Sequence, residues 1–296
     1  MTDNTERSFS DKWRENPKGF FEETLRDGSE TQSWILGRNG FVTLADLRAY
    51  LANKRRVLDA GCGNGRVTAL LRRFSSSDDT EIVGIDLVAA DIAKKNLVDE
   101  KNVRFARKDL LGNLSDLGAF DFIYCQEVLH HTTDPQRAFT NLCGLLAPGG
   151  EIAIYVYRAK APAREFVDDY VRGRIAGMSY EEAAGHCREI ADLGKALAES
   201  GAKVKVPAVQ VLGIEAGEYD VQRFIYHFFA KCYWNAGVSY DENVMINYDW
   251  YHPQLATRHT AEEVEKWFSQ ASLEIVHRHV DFYGITYRGR RPPVSR

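Results

Sequence analysis

From Arg56 onward the hydrophobic positions alternate between two kinds of run. Short β-branched runs at 56–60 (RVLDA), 81–86 (EIVGID), 103–108 (VRFARK), 120–125 (FDFIYC) and 151–157 (EIAIYVY) read as strands. Stretches of helical period lie between them, near 65–74, 89–99 and 134–146. The last of these has strong start signals, with Asp134 at the N-cap position and Pro135 at the first helical position. Pro148-Gly149-Gly150 then closes the unit in a turn that feeds the fifth strand. Strand and helix in strict alternation predict βαβ units on a parallel sheet.

The flanks read differently. Residues 1–55 are polar, with aromatic anchors at Phe9, Trp13, Phe20, Phe21 and Trp34, and are expected to form a helical N-terminal cap. After Tyr157 the alternation stops, and residues 158–259 show no clear strand. Ser179-Tyr180-Glu181-Glu182 is a capping box opening a helix through Ala198, which Gly201 closes. A second helix is expected from Tyr219 to Trp234. The α/β pattern returns with another capping box, Thr260-Ala261-Glu262-Glu263, and strands at 273–280 and 282–288. The expectation is an α/β, Rossmann-like, doubly wound domain with a mostly parallel seven-stranded sheet. It would comprise residues 56–157 and 260–289, with a helical lid inserted at 158–259 and a loose tail at 290–296.

Composition narrows the function classes. Of the 296 residues 44% are apolar and 27% charged, ordinary globular proportions that exclude wholesale disorder. A net charge of -4 argues against a dedicated nucleic-acid binder, which would carry a basic stripe. No apolar run reaches the ~18 residues of a membrane span, and the opening MTDNTERSFSDKW has no apolar signal region. The five cysteines, Cys62, Cys125, Cys143, Cys187 and Cys232, are scattered without a CxxC or CxxH pair, which supports neither a disulfide framework nor a zinc site. A cytoplasmic protein, monomer or homodimer, is expected.

The first strand runs into Asp59-Ala60-Gly61-Cys62-Gly63-Asn64-Gly65-Arg66 and then a helix. Strand, glycine turn and helix form the ligand-binding layout at the carboxyl edge of doubly wound sheets. The dinucleotide fingerprint needs G-x-G-x-x-G, yet Arg66 holds its third glycine position. Asp59, two residues before the first glycine, would repel a pyrophosphate and attract an ammonium or sulfonium. No GK[ST] follows, so a phosphate-gripping P-loop is excluded. Asp86 closes the second strand, where an acid can accept from both ribose hydroxyls, and Asp109-Leu110 ends the third, where an adenine edge would fall.

This ensemble resembles the class I S-adenosylmethionine-dependent methyltransferases, in particular their small-molecule, ubiquinone-type branch. The resemblance covers the D-x-G-x-G-x-G loop at 59–65, Asp86, Asp109-Leu110, the segment FDFIYCQEVLHHTTDP at 120–135, LAPGG at 146–150 and the helix plus strand pair at 260–288. It implies S-adenosylmethionine as cofactor. Asp59 would orient the methionine amine, and Gly61, Gly63 and Gly65 would line the methionyl moiety. Asp86 with Leu87 would hold the ribose, Asp109 and Leu110 would contact adenine, and Gln126 would complete the site.

Methyl transfer asks the protein chiefly for orientation and a dry cavity, and for a base only when the acceptor must lose a proton. Gln126, Glu127, His130 and His131 cluster at the fourth strand's end, and His131, then His130, is the expected base or acceptor-orienting residue. A metal-assisted route is not expected: Gln126 stands where catechol-type relatives carry Asp, and His277 and His279 lack a third ligand nearby. Cys62 reads as a packing residue. Residues 219–251 hold eleven of the 34 aromatics, interleaved with polar side chains. Most of these read as the insertion's own core, but the stretch Asn247–Pro253, including Tyr251 and His252, reads as a loop that orients the acceptor. The expected activity is methyl transfer to an oxygen, nitrogen or carbon atom of a small-molecule acceptor, with neither nucleic acid nor membrane as partner. An NAD(P)-dependent oxidoreductase and a non-catalytic, cofactor-binding partner protein are the alternatives.

Overall fold

Four helices precede the first strand: α1 (Asp3–Glu15), α2 (Phe21–Leu25), α3 (Glu30–Arg38) and α4 (Leu44–Leu51). Ser29 caps α3 by accepting from the Gln32 amide, and Thr43 with Asp46 forms a capping box on α4. The computed structural model describes residues 3–75 and 79–293. The chain continues with β1 (Arg56–Ala60), α5 (Arg66–Phe74), β2 (Glu81–Asp86), α6 (Ala90–Asn96), β3 (Val103–Arg107), β4 (Phe120–Gln126), α7 (Pro135–Gly144) and β5 (Leu146–Tyr157). Then come α8 (Pro162–Ile175), α9 (Tyr180–Glu199), β6 (Lys203–Val206), β7 (Gly217–Asp220), α10 (Val221–Phe228), α11 (Tyr240–Tyr251), α12 (Ala261–Gln270), β8 (Glu274–Val280) and β9 (Gly284–Arg290). The chain divides into two compact units: Trp13–Arg158 with His259–Arg296, and Thr2–Lys12 with Ala159–Arg258.

The first unit is the doubly wound domain. Its seven strands lie in the order β3-β2-β1-β4-β5-β9-β8, with β1 to β5 parallel and β9 antiparallel to both neighbours. One face packs Ala138, Phe139 and Leu142 of α7 and Val264, Trp267 and Phe268 of α12 into its core. The other packs Ile35 and Leu36 of α3, Leu47 and Leu51 of α4, and Val67, Leu70 and Leu71 of α5. Helices on both faces explain why β1, β2 and β4 are apolar almost throughout. The order reverses between β1 and β4, which opens a crevice beyond the carboxyl ends of these strands.

Two details differ from the sequence reading. Pro148-Gly149-Gly150 lies inside β5 as an irregularity: Phe120 faces Leu146, whereas Phe122 faces Glu151. Gly149 takes φ +76°, and a Cβ on Gly150 would sit 2.8 Å from the Phe120 carbonyl oxygen. The expected tail is anchored at its start, because β9 reaches Arg290 and Arg291 donates to the Gly150, Leu146 and Cys143 carbonyls. Residues 294–296 of that tail lie outside the described residues.

The second unit also departs from expectation. It contains a β6–β7 hairpin, and α8 where no helix is predicted; the helix expected at 219–234 shrinks to α10. Asn243 and Asn247 on α11 clamp the backbone of the preceding segment: Asn247 accepts from the Tyr233 amide at 2.9 Å and Asn243 from the Asn235 amide at 2.7 Å. The buried ion pair Arg164–Asp168 (2.6 Å) sits in its core. Among the described residues no helix is long and apolar enough to cross a membrane.

Candidate cofactor site

The glycine loop is held by its own backbone and by one acid. The Gly61 and Cys62 amides donate to the Ile85 carbonyl at 2.7 and 3.0 Å, tying the loop to the end of β2. Asp86 Oδ2 accepts from the Gly63 amide at 3.0 Å, while Oδ1 accepts from the Val88 and Ala89 amides at 2.8 and 2.9 Å. An ionised carboxylate offers about four lone-pair positions, so three backbone bonds leave acceptor capacity on Asp86 for a hydroxyl group. Leu87 beside it is half-buried.

Gly61, Gly63 and Gly65 take φ of +81°, +54° and +87°, values that favour glycine. A Cβ on Gly61 would fall 2.2 Å from the Val128 side chain, and one on Gly63 would fall 2.8 Å from the Trp13 ring. Gly65 serves helix packing, with Ala93 and Leu97 about as close as a Cβ would allow. The loop is also stitched to the N-terminal segment. Asn64 donates to the Pro17 and Gly19 carbonyls, and Asn96 bridges Pro17 and Asn64. Val128 and Asn96 carry no signal that sequence pattern alone would catch, and Trp13 reads there only as an aromatic anchor.

Asp59 is buried, and its Oδ2 accepts from the Thr68 hydroxyl at 2.6 Å. Burial pushes its carboxyl from the ordinary 3.8 up to about 7, against the pull of Thr68 and Arg66. Asp109 is exposed and caps the Leu111 amide at 2.9 Å, while Leu110 is buried. Gln126 is buried; its Oε1 accepts from the Asn39 amide at 3.2 Å and its own amide donates to Asn39 Oδ1, so the side chain anchors the end of α3.

The next residue, Glu127, has φ +64°, an uncommon backbone state for a residue with a side chain. Its carboxylate faces Arg66 at 3.6 Å and Arg38 at 3.9 Å. Sequence reading noted Arg66 only as the residue in the third glycine position and passed over Arg38. The one available signal is a lone cation in the apolar run from Trp34 to Phe41.

His130 and His131 lie in an aromatic cluster. The His130 ring stacks on Tyr157 at 3.6 Å between centroids, and His131 meets His130 edge-on at 4.3 Å. Both rings are buried. His252 and Tyr251, expected on an acceptor-orienting loop, instead belong to the end of α11 in the second unit and are corrected to core residues. His252 Nδ1 lies 2.9 Å from Ser8 Oγ and Nε2 3.1 Å from the Met178 carbonyl, with the ring stacked on Tyr248. The Tyr251 hydroxyl lies 2.9 Å from Asp168 and 3.0 Å from the Lys231 carbonyl. His277 is also structural: Nε2 donates to the Arg38 carbonyl at 3.0 Å. Among the described residues no group of three or more His, Cys, Asp or Glu could hold a metal ion.

Comparison with known proteins settles the family. The profile of a family described as a methyltransferase domain matches residues 36–205, more than half of the chain. The chain belongs to this methyltransferase family. Its cofactor is therefore S-adenosylmethionine, as the glycine loop and Asp86 imply. An uncharacterised Synechococcus sp. protein is 37% identical over 117 residues, covering 37% of this chain and 27% of that protein. The ubiquinone biosynthesis O-methyltransferase of Coxiella burnetii is 32% identical over 101 residues, covering 33% of this chain and 42% of its own. The chain thus matches less than half the length of these curated relatives. A chain from the complex between the Trm112 methyltransferase activator and a methyltransferase of Haloferax volcanii shares the fold, with a TM-score of 0.51 at 14% identity, covering 98% of this chain and 99% of that one.

The residues present fit the cofactor. The glycines let the loop turn tightly at the end of β1, and Asp86 keeps acceptor capacity at the end of β2. Asp59 supplies a carboxyl whose charged form a cation would stabilise.

Proposed function

We propose that this methyltransferase moves the methyl group of S-adenosylmethionine to an oxygen, nitrogen or carbon atom of a small-molecule acceptor. The observation that carries the reading is Asp86, which holds the glycine loop and the start of α6 with one carboxylate at the crevice between β1 and β4. When bound, the cofactor supplies a methyl group activated on a sulfonium. The chain's own residues hold and orient it. Asp86 is assigned to the ribose hydroxyls, Asp109 and Leu110 to adenine, and Gly61 and Gly63 to the methionyl arm. Asp59 is assigned to the amine, whose positive charge offsets the cost of a buried carboxylate. Arg66 at the third glycine position and the family membership set the oxidoreductase alternative aside.

Proton removal by His131 belongs to this proposal and is separable from it. His131→Gln keeps a polar side chain of similar reach, and should lower turnover on an acceptor that must be deprotonated while leaving cofactor affinity intact. The test of the whole reading is a screen with methyl-labelled cofactor against pools of phenols, amines and activated carbon acids. Label in an acceptor supports it. Cofactor binding without transfer in any pool would favour the non-catalytic alternative.

A further inference from the structure

Helix α8 is built inside out. Its buried positions are Arg164, Asp168, Arg172 and Ile175, three of them charged. Its outward positions include Phe166 and Tyr170, 79% and 64% exposed, the two most exposed aromatic side chains among the described residues. Val167 beside them is exposed as well. A surface helix ordinarily turns its apolar stripe to the core and its charges to water. Here the Arg164–Asp168 pair takes the inward face, and the apolar stripe is left to solvent.

The patch extends beyond the helix. In the loop between β6 and β7, the turn Gln210–Leu212 leaves Val211 83% exposed and Leu212 exposed too. Gly213 seats this turn on the start of α8, where a Cβ would fall 3.2 Å from Pro162 Cδ. Phe166 and Tyr170 alone expose roughly 200–350 Å², taking ~150–250 Å² for an aromatic side chain. Val167, Val211 and Leu212 carry the patch to the upper end of what monomers ordinarily show. That is the scale of the apolar centre of an interface burying ~800 Å² per partner.

The order of residues along the stripe identifies the occupant. Phe166 and Gly173 lie two helical turns apart and share a face, and the space over the exposed Gly173 is open. A second α8 packed antiparallel, about a two-fold axis midway between Asp169 and Tyr170, brings Phe166 of each copy over Gly173 of the other. The same operation brings Arg174 to Glu165 and Tyr170 to Asp169. Large meets small, positive meets negative and donor meets acceptor, each twice, which is the reciprocity of a two-fold interface. Within one copy Asp169 holds Arg172 and Arg258, both at 2.8 Å, and Glu165 holds Arg258 at 2.6 Å and accepts from the Lys160 amide at 2.6 Å. Arg174 donates to the Tyr170 hydroxyl at 3.3 Å, which leaves that hydroxyl its own hydrogen to donate. The acids along the stripe and the net charge of -4 disfavour an anionic bilayer as the occupant.

We propose that α8 and the Gln210–Leu212 turn form a homodimer interface, with two copies of α8 antiparallel and Phe166 of one seated over Gly173 of the other. This goes beyond the methyl-transfer reading and does not depend on it.

The experiment is sedimentation velocity on the full chain from low to high micromolar concentration, over which the wild type should pass from monomer to dimer. Phe166→Gln should weaken the dimer at least about 100-fold, because each dimer buries that ring twice. Gly173→Gln should weaken it at least about tenfold by filling the space. The same change should raise the unfolding midpoint of the dilute monomer, because glycine inside a helix is less favourable than glutamine. Register is read by cysteine pairing under mild oxidation. A mixture of Phe166→Cys and Gly173→Cys chains should form a disulfide-linked dimer. Neither variant alone should, since its two copies would stand roughly 10 Å or more apart along the helix axes, too far for a disulfide. The five native cysteines are buried. A wild type that stays monomeric, or a dimer indifferent to Phe166→Gln and Gly173→Gln, would overturn the proposal. So would cross-linking of either variant alone as readily as the mixture. Phe166-dependent flotation of a monomer with phosphatidylglycerol vesicles would overturn it too, and assign the patch to a bilayer.

Discussion

Replacing Asp59 with asparagine changes a single charge at a sheltered point of the cofactor edge. The side chain is 2% exposed, and burial lifts its carboxyl from 3.8 to about 7. Such a group keeps its proton in the native state at pH values where the unfolded chain has already lost it. Its contribution to stability is therefore fully present below about pH 4 and is lost progressively as the pH rises to about 7. Each pH unit in that window is worth about 1.4 kcal/mol, so the loss between pH 5 and pH 7 comes to roughly 3 kcal/mol. Asparagine does not titrate and can still accept from the Thr68 hydroxyl. The stability of Asp59→Asn minus that of the wild type should therefore grow by roughly 2–3 kcal/mol from pH 5 to pH 7.5. Urea unfolding of the ligand-free proteins across that range measures it. Contributions from the groups that both proteins share cancel in the difference. Two curves that stay parallel would refute the reasoning.

The same acid links proton and cofactor. A cation held beside Asp59 stabilises its charged form, so binding near pH 6 should release close to one proton. Titration in buffers of different ionisation enthalpy counts that proton, and Asp59→Asn should abolish its release.

Three further outcomes follow from the geometry. S-adenosylhomocysteine at about a hundred times its Kd should stabilise the protein by ~2.7 kcal/mol, NAD should not, and Asp86→Ala should cut the effect by removing the acceptor that also orders the Gly63, Val88 and Ala89 amides; thermal shift reads all three. Tyr251→Phe and His252→Ala should each cost roughly 1–3 kcal/mol of stability, because both remove buried hydrogen bonds, with S-adenosylhomocysteine affinity changed by less than ~1 kcal/mol in titration; unaltered stability would return them to a functional role. Gly61→Ala should cost roughly 1–3 kcal/mol in chemical unfolding, from a φ of +81° and from the Val128 side chain at 2.2 Å. Adding Val128→Ala should recover the steric part only.

The sheet was legible because its information is local. Each of the seven strands announces itself by a short apolar run, and both expected capping boxes form as written, Ser179 with Glu182 and Thr260 with Glu263. The second unit was harder for a physical reason. An aromatic-rich segment has the same composition whether it lines a pocket or packs on itself. Only the structure shows Tyr226, Phe228, Tyr248 and Trp250 buried and Asn247 spending its amide on the Tyr233 backbone. The stretch Asn247–Tyr251 reads as loop because its Asn and Asp are poor helix formers. The Ser239–Glu242 capping box upstream, which the sequence reading passed over, starts the helix that absorbs it.

The cofactor edge divides along the same line. Residues that act through backbone geometry, such as Gly61, Gly63 and Asp86, stand at fixed offsets from a strand end, so a spacing rule finds them. Arg38 and Glu127 are brought together by an encounter between segments far apart in the chain, the end of α3 with the end of β4, and no spacing rule encodes it. What betrays Arg38 is an imbalance: a charge taken out of water must be repaid by a partner, and among the described residues this guanidinium has only a carboxylate 3.9 Å away and two aromatic faces. The same reasoning separates it from Arg164, which is as deeply buried but closes its account with Asp168 at 2.6 Å.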